Sequence, residues 1–102
     1  MVQTKRDIKD LIIQNKALIA GFGAKSLGLF GSFTRNDQDS KSDVDLLVEF
    51  VPGKKNYDNY INLAYFLEDL FGRKVELITP NGLSKYLKKQ IIDTTEYVSL
   101  GV

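Results

Sequence analysis

The sequence predicts an α+β fold (α/β in the broad sense), a small mixed β-sheet with helices on one face and the other face partly open. Three observations carry that expectation. Apolar residues recur at helical spacing in three stretches, and three short runs between them are rich in strand-forming residues. Read in order, these give helix, strand, strand, helix, strand, helix, and an amphipathic helix must bury its stripe against another element. The 102 residues, 43% of them hydrophobic, suffice for one core and not for two, so residues 1–102 are expected to form a single domain.

Thr4, with Asp7 three residues on, reads as the N-cap of the first helix. Ile8, Leu11, Ile12, Leu18 and Ile19 follow at helical spacing, and Gly21 and Gly23 stop it. Ser26 to Phe30 is the first strand, where Gly28 signals the close approach of another backbone or a ligand. Thr34 to Ser42 is a polar connection with room for one helical turn. Val44 to Val51 is the second strand, ended by Pro52-Gly53. Tyr57 to Phe71 is a helix with Tyr60, Ile61, Ala64, Leu67 and Phe71 on one stripe, closed by Gly72. Val75 to Thr79 is the third strand. Pro80-Asn81-Gly82 then breaks the chain before a last helix from Ser84 to Tyr97, with Leu87, Ile91 and Ile92 facing inward.

Composition removes several functions. Histidine and cysteine are both absent, which excludes Ser-His-Asp and Cys-His catalysis and leaves a zinc site without its usual ligands. With 14 basic and 13 acidic residues the net charge is +1, so strong general nucleic-acid binding is not expected. No apolar run approaches a membrane span, and Met1 to Asp10 is charged, without a signal-type apolar stretch; a cytoplasmic location is expected.

The chemistry concentrates in Gly31-Ser32, then ten residues, then Asp43-Val44-Asp45. A small residue after a strand lets backbone N–H groups and one hydroxyl approach an anion such as phosphate. In a strand, side chains alternate faces, so Asp43 and Asp45 point one way while Val44, Leu46, Val48 and Phe50 point into the core. Like charges so placed repel unless neutralised, and a hard cation with oxygen ligands answers that need. Magnesium arrives with a nucleotide's phosphates. Alone, the aspartates read sooner as turn residues opening a strand; Gly31-Ser32 at this spacing turns the balance to metal ligation. If the third strand lies beside the second, Glu76 joins them as a third carboxylate, able to ligate metal or accept a proton. Arg35 either neutralises phosphates or is merely solvated. Lys85, Lys88 and Lys89 form a stripe that reads as a wet helix face, or as a surface for an acidic partner.

Gly-Ser, ten residues, Asp-x-Asp resembles the signature of the DNA polymerase β-like nucleotidyltransferase superfamily. Leu27 to Val51 is similar to its minimal, stand-alone branch, the MNT antitoxins found beside HEPN toxins. Arg35 stands where that branch carries a basic residue, and Arg73 to Pro80 is similar to its third-carboxylate strand, with Glu76 in place of the usual aspartate. The resemblance implies the polymerase β-like fold and magnesium-dependent transfer of AMP from ATP to a hydroxyl, a tyrosine of a HEPN toxin partner. In that scheme Asp43, Asp45 and Glu76 are catalytic and metal-binding, while Gly31, Ser32 and Arg35 hold the nucleotide. The Glu76 departure keeps open an alternative, an inactive transferase-fold antitoxin that neutralises its partner by binding.

Overall fold

The computed structural model describes residues 1–101. Its helices are α1 (Lys5–Gln14), α2 (Lys16–Gly21), the single turn α3 (Ser32–Arg35), α4 (Tyr57–Phe71) and α5 (Lys85–Thr94). Its strands are β1 (Ala24–Phe30), β2 (Val44–Phe50), β3 (Val75–Ile78) and β4 (Glu96–Ser99), in sheet order β3-β2-β1-β4. β1 is antiparallel to both β2 and β4, whereas β2 and β3 run parallel. The expected mixed sheet is therefore present.

The capping box at Thr4 forms as the sequence predicts: the Asp7 N–H donates to Thr4 Oγ1 and the Asp7 carboxylate accepts from the Thr4 N–H. The predicted first helix is divided. At Asn15 the backbone leaves helical geometry (φ −116°, ψ 22°), and its side-chain amide donates to the Leu11 carbonyl. The break turns α2 so that Ile19 is buried while Leu18 stands exposed. In α4 the stripe that reaches the core is Leu63, Leu67 and Phe71, with Tyr60 donating its hydroxyl to the Leu77 carbonyl of β3.

The core lies between one sheet face and α1, α2 and α4. Leu27 and Leu29 of β1, Val44, Leu46 and Val48 of β2, and Val75 and Leu77 of β3 meet Ile8, Ile12, Ile19, Leu63, Leu67 and Phe71 there. At about 1.5–3 kcal/mol for each fully buried large side chain, this layer is the main favourable term in folding. Strand alternation sends Asp45, Leu47 and Glu49 to the second face.

The largest departure from expectation is at the last helix. It ends at Thr94, and Glu96–Ser99 forms the edge strand β4, pairing Gly28 with Tyr97. Leu87 is exposed and no residue of α5 is fully buried. Lys5 and Lys9 of α1 both donate to the Glu96 carboxylate, holding its pKa below the usual range and tying α1 to β4. The close approach expected at Gly28 is met by this strand: a Cβ there would lie 2.4 Å from Thr95 Cγ2 and 2.9 Å from the Tyr97 ring. Gly28→Ala should therefore lose about 1–3 kcal/mol of stability through overpacking, read by urea denaturation. Adding Thr95→Ser, which removes the nearest methyl, should recover part of that loss.

Candidate active site

Phe30 pairs with Asp45, and Asp45 pairs with Glu76, so β1, β2 and β3 meet at one level of the sheet. Immediately after Phe30, Gly31 adopts φ 79°, a conformation that L side chains rarely take. A Cβ at Gly31 would lie 2.2 Å from Asp45 Oδ2, so only glycine lets the turn pass this carboxylate. Ser32 then begins α3, the helical turn that the sequence allows a little further on. The first N–H groups of a helix lack internal acceptors and point at whatever lies before the turn. Thr34 Oγ1 closes the turn on the Gly31 carbonyl at 2.8 Å, and Phe33 anchors it in the core.

The carboxylates are graded in exposure. Asp43, just before β2, is exposed; Asp45 is half-buried; Glu76 on β3 is exposed. Burial pushes the Asp45 carboxyl up to about 6. A hydrogen bond with Glu76, the charge of Glu76 and the charge of Asp43 add to the rise, while Arg35 opposes it. Asp45 and Glu76 are thus side-by-side neighbours, and Asp43 lies within electrostatic reach. Arg35 is exposed, its Nε donating to Asp37 Oδ2 at 3.1 Å. Of the six residues singled out from the sequence, Gly31, Ser32, Asp45 and Glu76 lie at the strand junction, with Asp43 and Arg35 on its rim.

Among the described residues no group of three His, Cys, Asp or Glu side chains stands as a ready-made metal cage. The three carboxylates expected to ligate a metal together, Asp43, Asp45 and Glu76, are thus not gathered into one preformed group; a magnesium ion needs only one or two of them, with waters and substrate phosphates completing its shell. The donors here are all oxygen. The turn suited to a phosphate packs directly against a carboxylate, an arrangement that a shared cation reconciles and that bare anions oppose. The residues fit such an ion.

One feature of the junction had no conspicuous sequence signal. Arg73, between α4 and β3, donates from Nε to the Val2 carbonyl at 2.7 Å. Its Nη1 donates to the carbonyls of Asp39 and Ser42, both at 2.9 Å. The guanidinium lies over the Phe33 ring, 5.1 Å from its centre. A single arginine following a helix-ending glycine gives no periodicity to detect.

A family model described as a nucleotidyltransferase domain matches residues 11–98. A protein of Methanocaldococcus jannaschii, provisionally named a protein adenylyltransferase, is 36% identical over 99 residues, covering 95% of this chain and 100% of the relative. The protein adenylyltransferase MntA of Thermococcus cleftensis is 33% identical over 90 residues, 86% of this chain and 88% of its own. Among solved structures, one described as a candidate minimal nucleotidyltransferase superposes with a TM-score of 0.71 at 27% identity, over 86% of this chain and 93% of that one. The fold also recurs, at a TM-score of 0.55 and 19% identity, in the structure of a tri-AMPylated Shewanella oneidensis HEPN toxin with its MNT antitoxin; the match covers 83% of this chain and 69% of that one.

The Asp45 environment has a measurable pH signature. A carboxyl whose folded pKa of about 6 lies above its ordinary range favours folding below that range, and loses that contribution as pH rises through the higher value. With divalent cations chelated, Asp45→Asn should be more stable than the wild type at pH 8. The gap should shrink as pH falls towards 4, as read by denaturant melts across that range.

Proposed function

The chain belongs to the nucleotidyltransferase domain family, and from that membership we propose that it transfers AMP from ATP to a protein hydroxyl. The observation that carries this reading is the adjacency of Asp45 and Glu76 against the Gly31-Ser32 turn. In this role the backbone after Gly31 and the Ser32 hydroxyl bind the triphosphate, and Arg35 offsets its charge from the rim. Asp43 and Asp45, with Glu76, would hold magnesium. The bound ion supplies charge neutralisation on the phosphates and a lowered pKa at the attacking hydroxyl.

The bond changes balance simply. The acceptor oxygen forms a bond to the α-phosphorus while the bond from that phosphorus to the oxygen bridging the β-phosphate breaks. Pyrophosphate leaves, and the acceptor's proton passes to the Glu76 carboxylate, the base beside Asp45. Glutamate here reaches one methylene farther than the aspartate of the family pattern.

The extent of the described unit favours an acceptor held by another molecule. The described elements are committed to one core, and none forms a second unit to hold a small substrate. The names of the Thermococcus and Methanocaldococcus relatives support a protein acceptor. The resemblance to MNT antitoxins points to a HEPN toxin, with a tyrosine as the modified residue. Among the described residues no helix is long and apolar enough to cross a membrane.

Incubating the chain with its cognate HEPN protein, magnesium and ATP should add one or more AMP units to a partner tyrosine, measured by intact mass and peptide mapping. Asp43→Asn/Asp45→Asn should abolish the gain. A tight complex without any mass change would favour an occluding antitoxin, and transfer to a small alcohol without protein would overturn the protein-directed reading. Magnesium with ATP should also raise the melting temperature of the wild type by mass action, and the double variant should lose most of that shift. Glu76→Gln should slow transfer about a hundredfold or more, the scale of a general base, whereas Glu76→Asp should retain activity.

A further inference from the structure

We propose that Arg73 is a positioning residue that holds the phosphate turn and the carboxylate loop in register. The proposal rests on the transferase reading above. The guanidinium touches neither Asp45 nor Glu76, yet it reaches both segments that must be aligned. Through the Ser42 carbonyl it holds the peptide unit that leads directly into Asp43. Through the Asp39 carbonyl, which also accepts from the Ser42 N–H, it holds the middle of the same loop, beside the local Asp39–Ser42–Lys41 hydrogen bonds and the bond from Gln38 Nε2 to the Gln3 carbonyl. By lying over Phe33 it packs on the helical turn that begins with Ser32. Its own backbone is fixed close by, since the Lys74 carbonyl accepts from the Val44 N–H and Glu68 Oε2 accepts from the Val75 N–H, clamping the start of β3.

One planar group therefore ties α3, the loop before β2 and the residue run that carries Glu76. The fork is specific to arginine. Three carbonyl acceptors are served from two nitrogens in one plane, and the same plane stacks on an aromatic ring; a lysine ammonium keeps the charge but not that geometry. Phe33 is fully buried, so the stacked surface does not move independently of the core. A loop whose carbonyls lose this anchor lets Asp43 drift, and a displacement on the order of 1 Å at a reacting centre can cost a hundredfold in rate.

The test uses Arg73→Lys and Arg73→Met in the full chain, with its protein acceptor. Arg73→Lys is expected to bind magnesium and ATP with a KM within about threefold of wild type while kcat falls by about a hundredfold, the scale of such misplacement. Rate is scaled to the folded fraction from a parallel melt, so a merely structural role appears as a lower melting temperature with unchanged kcat per folded molecule. The second readout is independent of activity: limited trypsin digestion at Lys41, inside the anchored loop. Cleavage there should be accelerated in both variants, while cleavage at sites away from the loop keeps its wild-type rate. Wild-type kcat and wild-type protection at Lys41 in Arg73→Lys would overturn the proposal, as would a loss of kcat that follows global unfolding. If the wild type transfers no nucleotide to any acceptor, the transferase reading fails. Trypsin protection at Lys41 then decides alone whether Arg73 fixes the loop.

Discussion

The structure is organised around a repulsion. Parallel pairing of β2 with β3 sets Asp45 beside Glu76, and antiparallel pairing of β1 with β2 brings the Gly31 turn onto the same carboxylate. Backbone hydrogen bonds and the apolar layer beneath impose this crowding; the side chains themselves oppose it. The raised pKa of Asp45 records this crowding, through burial first, then the hydrogen bond with Glu76, and only after these the charges of Glu76 and Asp43. Val44, Leu46 and Val48 on one face and Asp43 and Asp45 on the other cannot be separated by a register slip, because a shift of one residue would turn the core face of the strand outward. The core thus holds in place a charge arrangement that would not persist by itself, a common condition of functional sites.

Much of this was legible in the sequence because the signals are local and periodic. Alternation in β2 and the glycine at position 31 point directly to groups that meet at the junction, whereas the stripe read for α4 was only partly right: Leu67 and Phe71 are buried, but Leu63 takes the place given to Ile61. The adjacency of Glu76 needed one further step, the parallel pairing of β3, and the register bears that step out. Less legible were features decided by tertiary contacts. Asn15 interrupts a helix whose apolar pattern continues through it, because a side-chain amide competes for the Leu11 carbonyl. β4 was hidden inside an apparent helical stripe: Thr95, Tyr97 and Val98 favour strands, but a run this short yields to the periodicity before it. What makes it a strand is the free edge of β1 and the Glu96 ion pairs with α1, which lie far away in sequence.

The division of labour between the two sheet faces explains how so small a chain accommodates both stability and chemistry. The face under α1, α2 and α4 is entirely apolar, and among the described residues no polar or charged side chain is fully buried. The opposite face carries the carboxylates at one end and Leu47, Gly28 and Tyr97 further along, with α5 contributing no fully buried residue. Substitutions on the first face are felt as loss of fold. Those around Asp45 relieve strain while removing the proposed chemistry, which is how stability and function come into conflict at a site of this type.

The edge strand β4 also bears on the order in which the sheet can assemble. β1, β2 and β3 are drawn from residues 24–78, so the junction of turn and carboxylates closes within one continuous stretch. β4 must travel back to β1, and Glu96 must find Lys5 and Lys9 across nearly the whole chain. Pairings between distant segments close larger loops and are entropically the costlier ones to form first. During synthesis the junction of turn and carboxylates can therefore take shape while one flank of β1 is still bare. The last strand acts as a seal on that flank, and it satisfies the backbone of an edge that would otherwise be open to pairing with another chain.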